Sequence, residues 1–157
     1  MTPDKNSPAQ ERAWLLAEKH HGIETPAFFD DRARLLRGEP LAYLIGHILF
    51  LDTTIYLDSL PMIPRPETEY WVAQAVKEMR AFVAKRSQKQ TRVLDLCAGS
   101  GCIGVAVLKA MPEAYVDFAE IDVGHHPTIL RNLGANGISP NRAHVVGGDL
   151  FSEIPKE

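Results

Sequence analysis

Cysteine is scarce in this chain: Cys97 and Cys102 are the only two among 157 residues. Five positions apart across a tight loop, they match neither a zinc pair nor a Cys-x-x-Cys redox motif, so reduced thiols packed in a loop are expected. No apolar run approaches the roughly 18 residues that span a bilayer, and the polar segment from Met1 to Glu11 has no signal-peptide pattern. A cytoplasmic protein without a membrane partner is the expectation. Positive charge is not in surplus either. Lys and Arg total 17 against 20 Asp and Glu, a net charge of −3, which argues against nucleic acid as a partner. The histidine pairs His20-His21 and His125-His126 diverge as neighbours do and have no His-x-x-x-His or carboxylate spacing, which argues against a metal site. Repeats, low-complexity tracts and any recognisable Ser-His-Asp or Cys-His context are also missing.

What is present centres on Arg92 to Val107, which reads as strand, glycine loop and helix. Val93, Leu94 and Leu96 suit a buried parallel strand, and Ile103 to Ala110 a helix that stops near Pro112. Between them Gly99 and Gly101 lack a Cβ, so a ligand can lie against bare backbone N–H groups at the start of the helix.

Along the chain, Ser7-Pro8-Ala9-Gln10 marks a helix start that should run to about His20, and Thr25-Pro26 opens a second helix carrying Phe28, Phe29, Leu35 and Leu36. Gly38-Glu39-Pro40 breaks that pattern. Tyr43 to Leu51 and Ile55 to Leu57 then read as strands joined through Asp52-Thr53-Thr54. After Pro64 a long amphipathic helix presents Val72, Ala75, Val76, Met79 and Val83, with a basic exit loop over Lys85 to Lys89. Tyr115 to Ile121, Pro127 to Asn136 and Ala143 to Val146 read as strand, helix and strand. The expected organisation is a helical appendage over residues 1–37, a hairpin linker over 38–63 and a cofactor-binding domain over 64–157. Alternating strands and helices imply an α/β fold with a parallel sheet, here with too few strands for a complete doubly wound one.

Two cofactors compete for the glycine loop. Gly99 to Gly104 satisfies G-x-G-x-x-G, with an acidic residue about twenty positions on, as a dinucleotide site requires. Asp95 at the strand end would instead face a cationic sulfonium and its ammonium group and would repel a pyrophosphate, which favours S-adenosylmethionine. Glu120, with Asp122 as its substitute, suits ribose hydroxyls at the end of the second strand. Asp149 either hydrogen-bonds an adenine amino group, with Leu150 and Phe151 as walls, or is a turn residue.

Gly38 to Gly46, Ile63-Pro64-Arg65-Pro66-Glu67-Thr68-Glu69, Asp95 to Gly104 and Gly148-Asp149-Leu150-Phe151 together resemble the HemK family of protein-glutamine N5-methyltransferases. The resemblance implies a class I S-adenosylmethionine-dependent methyltransferase fold, Rossmann-like, with a release factor's Gly-Gly-Gln glutamine as methyl acceptor. It implies that Cys97, Ala98, Gly99, Ser100 and Gly101 line the methionine end of the cofactor, Glu120 the ribose, and Asp149 with Leu150 the adenine. Arg65, Glu67 and Glu69 would lie near the pocket mouth and the substrate. Three departures stand out: Cys97 replaces the usual first glycine, the helical appendage is about half the usual length, and the amide-gripping Asn-Pro-Pro-Tyr tetrapeptide is absent, so no catalytic residue is assigned. The expectation is an N-terminal portion of such an enzyme, self-associating through its incomplete sheet. Adenine N6-methylation of nucleic acid by base flipping and a non-catalytic interaction module are the competing readings.

Overall fold

The computed structural model describes residues 7–86 and 90–151, and the chain divides into two compact units, Met1–His47 and Ile48–Glu157. The expected basic exit loop falls partly outside the described residues.

The first unit is helical. Helix α1 spans Pro8–Glu18, where the Ser7 hydroxyl accepts from the Gln10 N–H at 3.3 Å, and α2 spans Pro26–Leu36, where Thr25 does the same for Phe28 at 3.3 Å. Both carry proline in the first turn, where its missing N–H costs nothing. Tyr43 to Ile45, expected as strand, instead lie in a short helix α3 over Leu41–Ile45, opened by Pro40 and closed by Gly46 at φ 91°. Leu41, Leu44 and Ile45 recur at helical spacing and pack on the buried Leu15 and Phe28. A strand would have sent Leu44 and Ile45 to opposite sides. Phe28 is core, whereas Phe29 and Leu36 of the same helix face outward.

A hairpin of β1 (His47–Phe50) and β2 (Thr53–Tyr56) follows, all of it but His47 in the second unit. Its second strand starts two residues earlier than the sequence suggests. Thr53 and Ile55 alternate as buried positions, and the Thr53 hydroxyl donates to the Phe50 carbonyl at 2.6 Å. Helix α4 covers Pro66–Arg86; Val72 and Val76 are buried and Met79 and Val83 half-buried, but Ala75 is exposed and leaves a narrower stripe than expected.

Strand β3 (Thr91–Leu96), helix α5 (Cys102–Ala110), β4 (Ala114–Glu120), helix α6 (His126–Ala135) and β5 (Ala143–Gly147) follow in βαβαβ order. The strands run parallel in the order β3-β4-β5, with Leu96 opposite Ala119 and Glu120 opposite Gly147. This bears out the α/β fold with a parallel sheet, three strands of which lie among the described residues. Val116 and Phe118 of β4 are buried with Val105 and Leu108 of α5 and Ile129 of α6. Gly104 lets α5 close on the sheet: a Cβ there would lie 2.3 Å from Phe118 Cε1 and 2.9 Å from Val116 Cγ1. Tyr115 and Leu94, 38% and 36% exposed, belong to the sheet's other face. Among the described residues no helix is long and apolar enough to cross a membrane.

Candidate functional site

Parallel pairing brings the ends of β3, β4 and β5 to one edge, where open α/β sheets bind ligands. Past Leu96 the backbone turns left-handed three times, at Cys97 (φ 59°), Gly99 (φ 56°) and Gly101 (φ 74°). At Gly101 a Cβ would also press on Ile129 Cγ2 at 3.1 Å and Phe118 Cε1 at 3.2 Å, so glycine is required there by both conformation and space. Cys97 holds the same backbone region without that freedom, which explains why glycine is the easier residue at its position.

Two acids hold this loop from below. Glu120, 7% exposed, accepts from the Gly99 N–H through Oε2 at 2.7 Å and from the Asp122 N–H through Oε1 at 2.9 Å. Asp95, 5% exposed, accepts from the Gly104 N–H in the first turn of α5 at 2.8 Å. Burial pushes the Asp95 carboxyl up to about 6; the Gly104 N–H opposes the rise and the nearby Glu120 charge adds to it. Among the described residues no Lys or Arg forms an ion pair with either acid. A pair of buried, cation-free carboxylates suits a ligand with a positive centre, which is the chemistry of S-adenosylmethionine. It does not suit a pyrophosphate. The N–H groups of Gly99 and Gly101, expected to be bare, instead donate to Glu120 and the Ala98 carbonyl.

The remaining residues singled out by sequence scatter around this edge. Ala98 and Ser100 are buried within the loop, and Gly101 donates to the Ala98 carbonyl at 2.7 Å. Asp122 lies beyond the end of β4 and caps the turn over Val123–His125, accepting from Gly124 N–H at 2.8 Å. Strand alternation has ended there, so it does not duplicate Glu120. Asp149 and Leu150 are exposed after Gly147 at the same edge, with Leu150 left-handed at φ 53°. Arg65 and Glu67 are exposed at the start of α4, while Glu69 accepts from the Leu51 N–H at 2.9 Å and braces the β1–β2 turn. The Cys102 thiol is buried, and that burial raises it to about 11, leaving it protonated and inert.

The sequence reading missed Asn132. Wholly buried on α6, its amide reaches both β2 and the Ser100 carbonyl. The available signal was a polar residue inside the apolar stripe of Ile129 and Leu133. A cavity of about 370 Å3 lies instead at the opposite, amino edge, around Arg92, Tyr115, Asp117 and His144. There Asp117 is already engaged by Arg92 at 3.0 Å and His144 at 3.3 Å, at the end of the sheet where such folds do not place chemistry.

The family model of the methyltransferase small domain matches residues 77–157. A release factor glutamine methyltransferase of Bordetella pertussis is 32% identical over 151 residues, covering 94% of this chain and 53% of that protein. One of Thermodesulfovibrio yellowstonii is 42% identical over 110 residues, covering 70% of this chain and 36% of that protein. The chain thus spans about half the length, or less, of the curated relatives it matches. Among solved structures, human methyltransferase 10 domain containing protein overlays with a TM-score of 0.48 at 16% identity, covering 94% of this chain and 58% of that one.

Proposed function

The chain belongs to the methyltransferase small domain family, and from that premise we propose that its carboxyl edge is the S-adenosylmethionine site of an enzyme that methylates a glutamine side-chain amide in a protein. The observation that carries the proposal is the pair of buried carboxylates, Asp95 and Glu120, gripping the glycine loop without a cationic partner. Cys97, Ala98, Gly99, Ser100 and Gly101 would hold the methionine end, with ionised Asp95 supplying the charge that its ammonium requires. Glu120 would take the ribose hydroxyls with the lone pairs its two backbone bonds leave free, and Asp149 with Leu150 the adenine. When bound, S-adenosylmethionine supplies an electrophilic methyl group on a sulfonium. This chain's own residues bind and orient, since in-line transfer depends on alignment more than on acid or base.

The acceptor follows from the relatives, whose names make a peptide-chain release factor the natural candidate, with its Gly-Gly-Gln glutamine as the target. Arg65, exposed just ahead of α4, and Glu67, exposed in its first turn, would meet it. Calorimetric titration with S-adenosylmethionine tests the first claim: saturable binding is expected, lost in Asp95→Ala, and no binding by a chain shown to be folded by circular dichroism overturns it. Retention of a purified release factor by the immobilised chain, with S-adenosylhomocysteine present, tests the second. Retention of DNA or RNA in its place would move the reading to adenine methylation.

A further inference from the structure

One face of α6, with His125 and Asn136 at its two ends, carries polar side chains aimed at β2 and the segment that follows it. Asn136 accepts from the Thr54 N–H at 3.0 Å and donates to the Thr54 carbonyl at 2.8 Å. One turn earlier, Asn132 accepts from the Tyr56 N–H at 2.7 Å and donates to the Tyr56 carbonyl at 3.1 Å. Another turn earlier, Thr128 and His125 both meet the Ser59 hydroxyl at 2.8 Å. Positions 128, 132 and 136 share a helix face, and residues 54 and 56 share a strand edge. The helix therefore satisfies the backbone groups that an edge strand leaves open, in place of another strand.

Each asparagine has one further bond, and the two differ in where it goes. Asn136 spends it on the Asn132 carbonyl at 2.8 Å, inside the helix; Asn132 donates to the Ser100 carbonyl at 2.9 Å, inside the glycine loop. A single planar amide thus clamps the loop to the hairpin. Beyond that clamp the chain reaches Pro61, whose Cβ lies 3.8 Å from where a Cβ on Gly99 would stand. We infer that Asn132 is a positioning residue for the methyl donor. By fixing the Ser100 carbonyl it holds the loop in the turn where Gly99 donates to Glu120 and Gly101 to the Ala98 carbonyl, and by fixing Tyr56 it lays residues 57–61 against the loop as a wall of the pocket. The inference rests on the proposed cofactor reading of that loop.

The test compares Asn132→Ala with Asn136→Ala, which remove the same number of amide bonds to β2 and differ in the third. Both variants should melt at lower temperature than the wild type. Only Asn132→Ala should weaken S-adenosylmethionine in a calorimetric titration, on the order of tenfold, and only it should speed amide hydrogen exchange at Gly99 and Gly101 without ligand. If Asn132→Ala loses its folded circular dichroism spectrum, Asn132→Ser takes its place, with a hydroxyl too short to span both partners. Equal affinity in the two variants, or affinity that tracks melting temperature in both, overturns the inference while leaving the cofactor site standing. Failure of the wild type to bind overturns the cofactor reading and this inference with it.

Discussion

Two buried aspartates, one in each unit, are almost equally hidden, Asp31 at 6% exposed and Asp95 at 5%, and titrate in opposite directions. Burial pushes the Asp31 carboxyl up, but Lys19 at 2.7 Å, His20 at 3.1 Å and Arg34 at 3.0 Å outweigh it and hold the group below its ordinary value. Asp95 has the Gly104 N–H and a carboxylate for a neighbour, and ends near 6. A charge that serves the fold is surrounded by countercharge from its own chain. One left without countercharge is available to a ligand, and its cost to stability is an expected mark of function.

Replacing Gly104 with alanine should break the sheet side of this contrast most severely. The new methyl would meet the buried Phe118 ring at 2.3 Å, displacing the N–H that holds Asp95, and a loss of about 3 kcal/mol is expected in denaturant melts. Next comes the charge itself. Because the folded-state pKa of Asp95 lies above its ordinary 3.8, near 6, its contribution favours the fold below pH 3.8 and is lost as pH rises through about 6. Asp95→Asn should therefore stabilise the chain at pH 8 by up to about 2 kcal/mol, lose that advantage near pH 4, and weaken S-adenosylmethionine binding most above pH 6, where the wild-type carboxyl is ionised. A variant less stable than wild type at pH 8 would contradict the account.

Asp31 carries the reverse sign. Its pKa is lowered, so its stabilisation is present above 3.8 and disappears as pH falls through the folded value. Asp31→Ala should cost the helical unit about 2 kcal/mol at pH 7 by taking the carboxylate from the buried His20 and from Lys19, while Arg34 keeps Glu39, and much less at pH 3. Amide exchange at Leu15 and Phe28, read at both pH values, checks it. The smallest effect belongs to Cys97→Gly, which relieves a left-handed residue at φ 59° and should raise stability by about 1 kcal/mol in a thermal melt.

Much of this was legible without coordinates. Glycine chemistry and an apolar run located β3, the loop and α5, and the acids Asp95 and Glu120 were named from their place at the ends of strands. Both signals are local, since a turn that needs positive φ and a strand end that needs a carboxylate are each written within ten residues. The cofactor and the HemK resemblance are borne out on the same ground. Tyr43 to Ile45, expected as strand, failed because a short apolar window fits strand or helix equally well.

By itself, then, the sequence determined the βαβαβ order, the loop's left-handed glycines and the acids beneath them, because backbone conformation and burial periodicity are properties of neighbouring residues. Only the tertiary structure decided that Leu44 closes a helical core with Leu15 and Phe28, that Asp122 caps a turn, and that Asn132 joins loop to hairpin. The amide of Asn132 finds partners 76 and 32 positions away along the chain. Which polar groups will be left wanting at that distance is set by how the elements pack, and no local pattern records it.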